Sequence, residues 1–522
     1  MNKSCTFACL KRKVMEELNN LHNLETEDTS YDHVLKYTGV FGGVQGLKML
    51  VAIIRTKLTA HLLGPVGYGL ISVYQSISEF IVSCSNFGIP LNATREMSEL
   101  FEEGTDESIQ HKVKVIRTWV IWAALFATIL TILVSPILSY FFFDHDWNRY
   151  WEVIVLCPIF ISFLVAEGEC SILKGLRQLK RVAAIETLAA ISTLVLTIPF
   201  YYFWKMHGIV IALICSTAMT AIIHLYYSVQ LVHYRVGLFN KEIFHEGLPM
   251  IRRGIPYVLA GIAYSGITMA IPALMLISGT YSDVGYYRAG YTLMATYAGM
   301  AFVALEADYY PRLSSVNHDT TRLNQTINQQ IDVCVLLITP FLILFILAMP
   351  FVVRLLYKPE FLVILDMTVC SVFYMFFRAI MLPVAYTSLA KGDSMMFLIM
   401  EVLYDIVFGA LMWWLYFQFG LIGAGIALSV AALYDLLSIV FVYGWKYGCR
   451  ISGHTLRLIS FQFVCLVVAV AVCLQNNLYV KYIVGSVVML VSAWRSWKLL
   501  ARRSQIVHDL VRRFRHRSGD CC

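Results

Sequence analysis

The first long apolar stretch of the sequence, Lys36–Gly69, carries four side chains that lipid would reject: Gln45, Lys48, Arg55 and Lys57. A charge inside a spanning helix costs at least about 2.5 kcal/mol, so it faces protein or water rather than lipid. Lys48 and Arg55 are seven residues apart. They therefore share one helical face, about 10 Å apart along the axis, with Gln45 close by. Lys57 falls on the opposite face near the helix end, where it can snorkel to the headgroups. A cationic stripe of this kind suits an anion inside the membrane. Arg55 has no acidic neighbour on its own hairpin, and a guanidinium grips phosphate through a planar fork. Lys48 and Glu79 both fall near mid-membrane on consecutive helices and are expected to pair. The pair is either structural or one that releases Lys48 to a phosphate.

Further charges fall on later apolar segments. Arg252 and Arg253 stand at the cytoplasmic mouth of the seventh span and Arg288 near the outer end of the eighth. They read as topology anchors or as a cationic rim. Arg378, Glu401, Asp405 and Asp435 form a charged set in the second half. They read as a buried network or, more sharply, with Asp405 or Asp435 as the site of a coupling proton or sodium ion. Glu167 and Glu169 are expected to pair with the basic loop 174–181, and Glu306 and Asp308 to close the eighth span on the cytoplasmic side. There is no Gly-rich phosphate loop followed by Lys, so direct ATP use is not expected. The 13 His and 13 Cys show neither metal spacing nor a disulfide framework. The terminal Cys521-Cys522 is not a C-a-a-X box. These features argue for a chain that is not an enzyme and needs no cofactor.

The elements that carry these residues follow from composition. Hydrophobic residues make up 58% of the 522 and charged residues 14%, against about 25% charged in soluble domains. An integral membrane protein is implied. Residues 1–33 are polar, lack the apolar core of a signal peptide, and place Leu10, Val14, Leu18, Leu21 and Leu24 at the spacing of a surface helix. Fourteen spans are expected, near 36–62, 68–91, 115–143, 150–173, 181–204, 208–233, 254–278, 284–306, 331–353, 363–390, 394–417, 421–445, 456–474 and 478–500. Loops on the side of the N-terminus hold 18 Lys and Arg, and the opposite loops hold 6. That bias puts both termini in the cytoplasm. In the tail 501–522, Arg502, Arg503, Arg512, Arg513, Arg515 and Arg517 flank an apolar face. It suits anionic membrane lipids rather than nucleic acid.

The chain also repeats. Val66-Gly67-Tyr68 recurs as Val284-Gly285-Tyr286, an offset of 218, and Ile211-Ala212-Leu213 recurs as Ile426-Ala427-Leu428, an offset of 215. Two lobes in parallel orientation follow, 34–233 with six spans and 254–445 with six. Residues 234–253 join them as an amphipathic linker in which Phe239, Ile243, Phe244 and Leu248 suggest a surface helix. The last two spans, 446–500, stand outside the repeat.

The hairpin HLLGPVGYGLISVYQSI…SNFGIPLNATRE (61–96) and the segment GTYSDVGYYRAGYTLMATYAGMAFVALEADYYPRLSSV (279–316) resemble Wzx-type polysaccharide flippases. That family belongs to the group of multidrug, oligosaccharidyl-lipid and polysaccharide exporters. The resemblance implies an all-α bundle of two six-helix lobes around a central cavity. It implies flipping of undecaprenyl-pyrophosphate-linked oligosaccharide across the bacterial inner membrane for O-antigen, capsule or exopolysaccharide synthesis, with a polysaccharide polymerase as a partner. Two other functions stay open: a multidrug antiporter, whose cavity would need carboxylates, and a membrane glycan polymerase or ligase, which would carry a sizeable outer loop.

Overall fold

A computed structural model describes residues 27–103, 105–143, 147–237, 240–297, 299, 309–310, 312–475 and 477–503. The surface helix at 10–24, the tail from 504 and Glu306 and Asp308 lie outside them. Within these residues the chain is α-helical with short 3-10 and π turns. The first half runs α1 (Glu27–Ser85), α2 (Ile89–Glu103), α3 (Asp106–Phe142), α4 (Tyr150–Ile154), α5 (Cys157–Gly175), α6 (Leu179–Trp204) and α7 (Gly208–Val229). The second runs α8 (Lys241–Ser278), α9 (Tyr281–Tyr291), α10 (Thr320–Leu356), α11 (Ile364–Cys370), α12 (Val372–Ala390), α13 (Ser394–Tyr447), α14 (Gly453–Cys473) and α15 (Leu478–Arg503).

Ten stretches of the described residues are long and apolar enough to cross a membrane. Three of them, Gly46–Ser85, Lys180–Val229 and Ser394–Tyr447, exceed by far the roughly 20 residues that one crossing needs. Each contains a break. Gly64 turns the first with φ 66 and is followed by Pro65. A 3-10 turn at Lys205–His207 divides the second, and Gly420 with φ 59 divides the third. The expected eighth span falls partly outside the described residues. The segment expected as a separate amphipathic linker is continuous with span seven, because α8 is one helix of 38 residues.

Contacts divide the chain into two compact units, Met1–Ala273 and Leu274–Cys522. Their elements correspond at a nearly constant offset. α3 and α10 are both 37 residues long, start 214 apart under side-chain caps from Thr105 and Asp319, and carry Pro136 and Pro350 at matching places. α5 and α12 start 215 apart, at Cys157 and Val372. The turn residues after them, Arg177 and Gly392, both have positive φ, 55 and 75. Lys205 (φ 46, ψ −122) and Gly420 (φ 59, ψ −137) are again 215 apart and share one backbone shape. Three residues on, a Cβ on Gly208 would strike the carbonyl of Phe200, and one on Gly423 that of Leu415. The backbone thus repeats where side chains do not.

In the first unit, Cys170, Leu173, Val182, Ile185 and Ile223 form a buried cluster that ties α5, α6 and α7 together. In the second, Phe463 of α14 packs on Phe373, Phe376 and Phe377 of α12. A polar clasp joins α14 to α15: Gln462 Nε2 donates to Ser496 Oγ at 2.9 Å and Ser492 Oγ donates to Gln462 Oε1 at 2.7 Å. Such bonds hold helices together where lipid supplies no hydrophobic drive between them.

Candidate functional site

Lys48 reaches across from α1 to α6, where its Nζ donates to Glu186 Oε2 at 2.6 Å. Sequence reasoning assigns Lys48 to Glu79, the carboxylate on the neighbouring helix. The structure assigns it to Glu186, because helix contacts follow the bundle and not the order of the chain. The pair is only half-buried, with side-chain exposures of 29% and 36%, so its charges are accessible rather than locked away. Glu186 lines a cavity of about 410 Å³ together with Glu167, Cys170, Lys174, Thr220 and His224. Their helices α5, α6 and α7 are those that the buried cluster of the first unit ties together.

His224 is buried and its Nδ1 bonds to the carbonyl of Thr220, one turn back, at 2.8 Å. Since a carbonyl only accepts, Nδ1 is the donor, and Nε2 is the nitrogen left to offer a lone pair in the neutral ring. A Cys170 sulfur, a Glu186 oxygen and a ring nitrogen of His224 lie within 4.8 Å of one another. No sequence pattern singles out Glu186, Cys170 or His224.

Arg55 is exposed and stands electrostatically beside Tyr201 of α6. It is not among the residues lining the cavity that Glu186 borders. Gln45 belongs to α1 but lies outside the residues whose side chains are described. Arg252 and Arg253 are exposed, with Arg253 Nη1 3.8 Å from Glu96, which also holds Lys112 at 2.7 Å. Nearby, His111 Nε2 meets Glu246 at 2.6 Å and the Trp119 and Phe244 rings stack at 4.8 Å, so the start of α8 is fastened to α3. Glu167 does stand beside Lys174, as expected. Glu169 does not pair with the basic loop. Arg117 of α3 grips it bidentately, Nε to Oε1 at 2.8 Å and Nη2 to Oε2 at 2.9 Å, and donates to the carbonyls of Val232 and His233 as well.

The second unit holds the other charged set. Asp405 and Asp435 are buried on α13, whereas Glu401 and Arg378 are half-buried. Arg378 Nη1 donates to Tyr374 at 2.7 Å, and Glu401 and Arg378 both act on Asp435. Two carboxylates, Glu401 and Asp435, thus stand by one guanidinium, and Glu401 also acts on the third, Asp405. Arg288 is half-buried on α9.

The first unit and the start of the second match one family model. A model described as "Polysaccharide biosynthesis protein" matches residues 34–317, more than half of the chain. The chain belongs to that family. No curated protein sequence matches it. Solved structures of the same fold include the lipid II flippase MurJ in an inward closed conformation, at 14% identity and a TM-score of 0.66 over 89% of this chain and 99% of that one. An inward-facing multidrug resistance MATE family transporter of the MOP superfamily matches at 15% identity and a TM-score of 0.62, over 76% and 95% of the two chains. An outward-facing one matches at 13% and 0.52, over 78% and 93%. At these identities the likeness concerns the fold. This member of the polysaccharide biosynthesis family is a multi-pass membrane protein with the helical architecture of those transporters.

Proposed function

We propose that the chain flips an undecaprenyl-pyrophosphate-linked oligosaccharide unit across the bacterial inner membrane by alternating access, with both termini in the cytoplasm. The observation that carries this reading is the accessible Lys48–Glu186 pair on a helix that also bears Arg55. A pyrophosphate entering a low-dielectric bundle must be neutralised, since an unpaired buried charge costs several kcal/mol. Glu186 holds Lys48 while the site is empty, so that the cations do not repel one another. A phosphate displaces the carboxylate, and Arg55 offers the second contact. Arg252, Arg253, Arg288 and Gln45 would flank the route. The family's description, and the lipid for which one flippase of this fold is named, agree with a lipid-linked cargo. Inward proton or sodium flow through Asp405, Asp435, Glu401 and Arg378 would drive the cycle. A polysaccharide polymerase would take the product.

Deleting the gene in its host should make lipid-linked oligosaccharide accumulate on the cytoplasmic leaflet. The Lys48→Ala, Arg55→Ala double variant, present in the membrane at normal level, should restore less than about a tenth of export, since each lost charge-assisted contact is worth roughly 1.5–3 kcal/mol. Normal surface polysaccharide in that variant would reject the phosphate role. A probe at Tyr281 should label from outside and one at Gln325 should not. The acidic set of α13 favours one second reading, an antiporter for cationic drugs. Drug sensitivity without oligosaccharide accumulation in the deletion strain would select it.

A further inference from the structure

Three donors of different chemistry meet at the cavity of the first unit: a thiol from α5, a carboxylate from α6 and an imidazole from α7. Cys170, Glu186 and His224 place one ligand atom each within 4.8 Å of the other two. Around zinc at bond lengths of about 2.0–2.3 Å, tetrahedral ligand atoms stand roughly 3.3–3.8 Å apart, so movements of about 1 Å close the site. The imidazole is already oriented. Its Nδ1–H is committed to the Thr220 carbonyl, the outer bond that a metal-bound histidine usually makes, and Nε2 is left to bind. His224 is 5% exposed, and its only hydrogen bond among the described residues is that one. The cavity of about 410 Å³ leaves a fourth position for water.

We propose that Cys170, Glu186 and His224 form a site for a divalent first-row transition ion of the zinc class, and that the ion and Lys48 compete for Glu186. Thiolate and imidazole select such ions over magnesium or calcium. Binding releases the thiol proton to solvent and takes the carboxylate that Lys48 now holds at 2.6 Å. Lys174 and Glu167 also stand beside the thiol. The ion's charge replaces that of Lys48, whose ammonium is then free to turn elsewhere. This holds whatever cargo the protein carries.

The test is a titration of the purified full-length protein with Co²⁺, read by thiolate-to-cobalt charge-transfer absorption. The wild type should show a saturable band at one equivalent, and zinc should bleach it. Cys170→Ser should lose the band, and His224→Asn should weaken binding by at least about tenfold. Lys48→Ala should tighten it, because the carboxylate no longer has a competitor. A band that survives Cys170→Ser places the ion on another of the 13 cysteines and overturns the site. So does the absence of any band in the wild type. Should Cys170→Ser fail to fold, unchanged affinity in His224→Asn overturns it equally. Weaker binding in Lys48→Ala would overturn the competition.

Discussion

Glu186 in the first unit and Glu401 in the second stand 215 residues apart, at equivalent places on α6 and α13. Glu186 meets an ammonium that comes from α1, with a histidine and a thiol alongside. Glu401 stands in the field of a guanidinium from α12 and acts on two further carboxylates, Asp405 and Asp435, the latter replacing Thr220 of the first unit. One backbone plan therefore carries two charge schemes, one balanced by cations and the other acidic. The difference teaches that in this chain the fold is set by turns and close approaches, which repeat, while chemistry is set by single side chains, which do not.

The sharpest break in the correspondence is Arg117–Glu169. The equivalent positions hold Ile331 and Val384, both buried. Removing one member of a buried ion pair strands the other, so Arg117→Ala should cost about 3–5 kcal/mol in stability. The Arg117→Ile, Glu169→Val double variant, copying the second unit, should recover most of that loss. A thermal-melting cycle checks both. No recovery would mean that the bonds to Val232 and His233, rather than the ion pair, hold that corner.

Gly208→Ala and Gly423→Ala probe what the units share. Each new Cβ presses on a carbonyl eight residues back, so both should lose about 1–3 kcal/mol by overpacking. Unequal losses, measured in the same melts, would show that one unit relaxes where the other cannot.

Lys205 has the backbone shape that Gly420 adopts at the matching turn. A residue with a Cβ is strained there, at a cost of about 1–3 kcal/mol. Lys205→Gly should therefore raise stability by about 1 kcal/mol after the entropy of the unfolded glycine is subtracted. A lowered melting temperature would contradict the equivalence of the two turns.

The smallest effect concerns acid. Lys446 at 2.6 Å, the Tyr447 hydroxyl at 2.7 Å and the Met396 N–H at 3.1 Å hold the carboxyl of Asp393 down at about 2. Its matching residue in the first unit is the neutral Gln178. A lowered carboxyl stabilises the fold above its ordinary value of 3.8 and loses that contribution as pH falls towards 2. Melting between pH 5 and pH 2 should fall slightly less steeply in Asp393→Asn than in the wild type.

Much of the architecture is readable from residues alone. Apolar runs place the helices, one repeated tripeptide discloses the offset of 215 and a second comes within three residues of it, and a lysine in an apolar helix announces a site. Applied to Glu401, the same offset points to Glu186, which escapes notice because one carboxylate in the second turn of a helix looks like an ordinary acid near its N-terminus. His224 and Cys170 are not readable, since a lone histidine or thiol in an apolar run looks like core until other helices bring donors to it. The partner of Glu169 is hidden for another reason. Hydropathy marks where a helix becomes apolar, near 115, and not where it begins, at Asp106; Arg117 thus looks like a residue at the mouth of a span.

Span seven has a consequence of its own. By offset, α8 opens the second repeat, yet the first unit extends to Ala273, near its end. Asn92 Nδ2 bonds to the Met250 carbonyl at 2.9 Å and Glu246 meets His111. Heredity and mechanics cut the polypeptide at different places. During synthesis the earlier body stays unfinished until its successor's leading helix has emerged. Two half-genes cut at the repeat boundary would each encode a defective piece, one short of a helix and the other burdened with it, whereas a cut beyond Ser278 would respect the folded bodies.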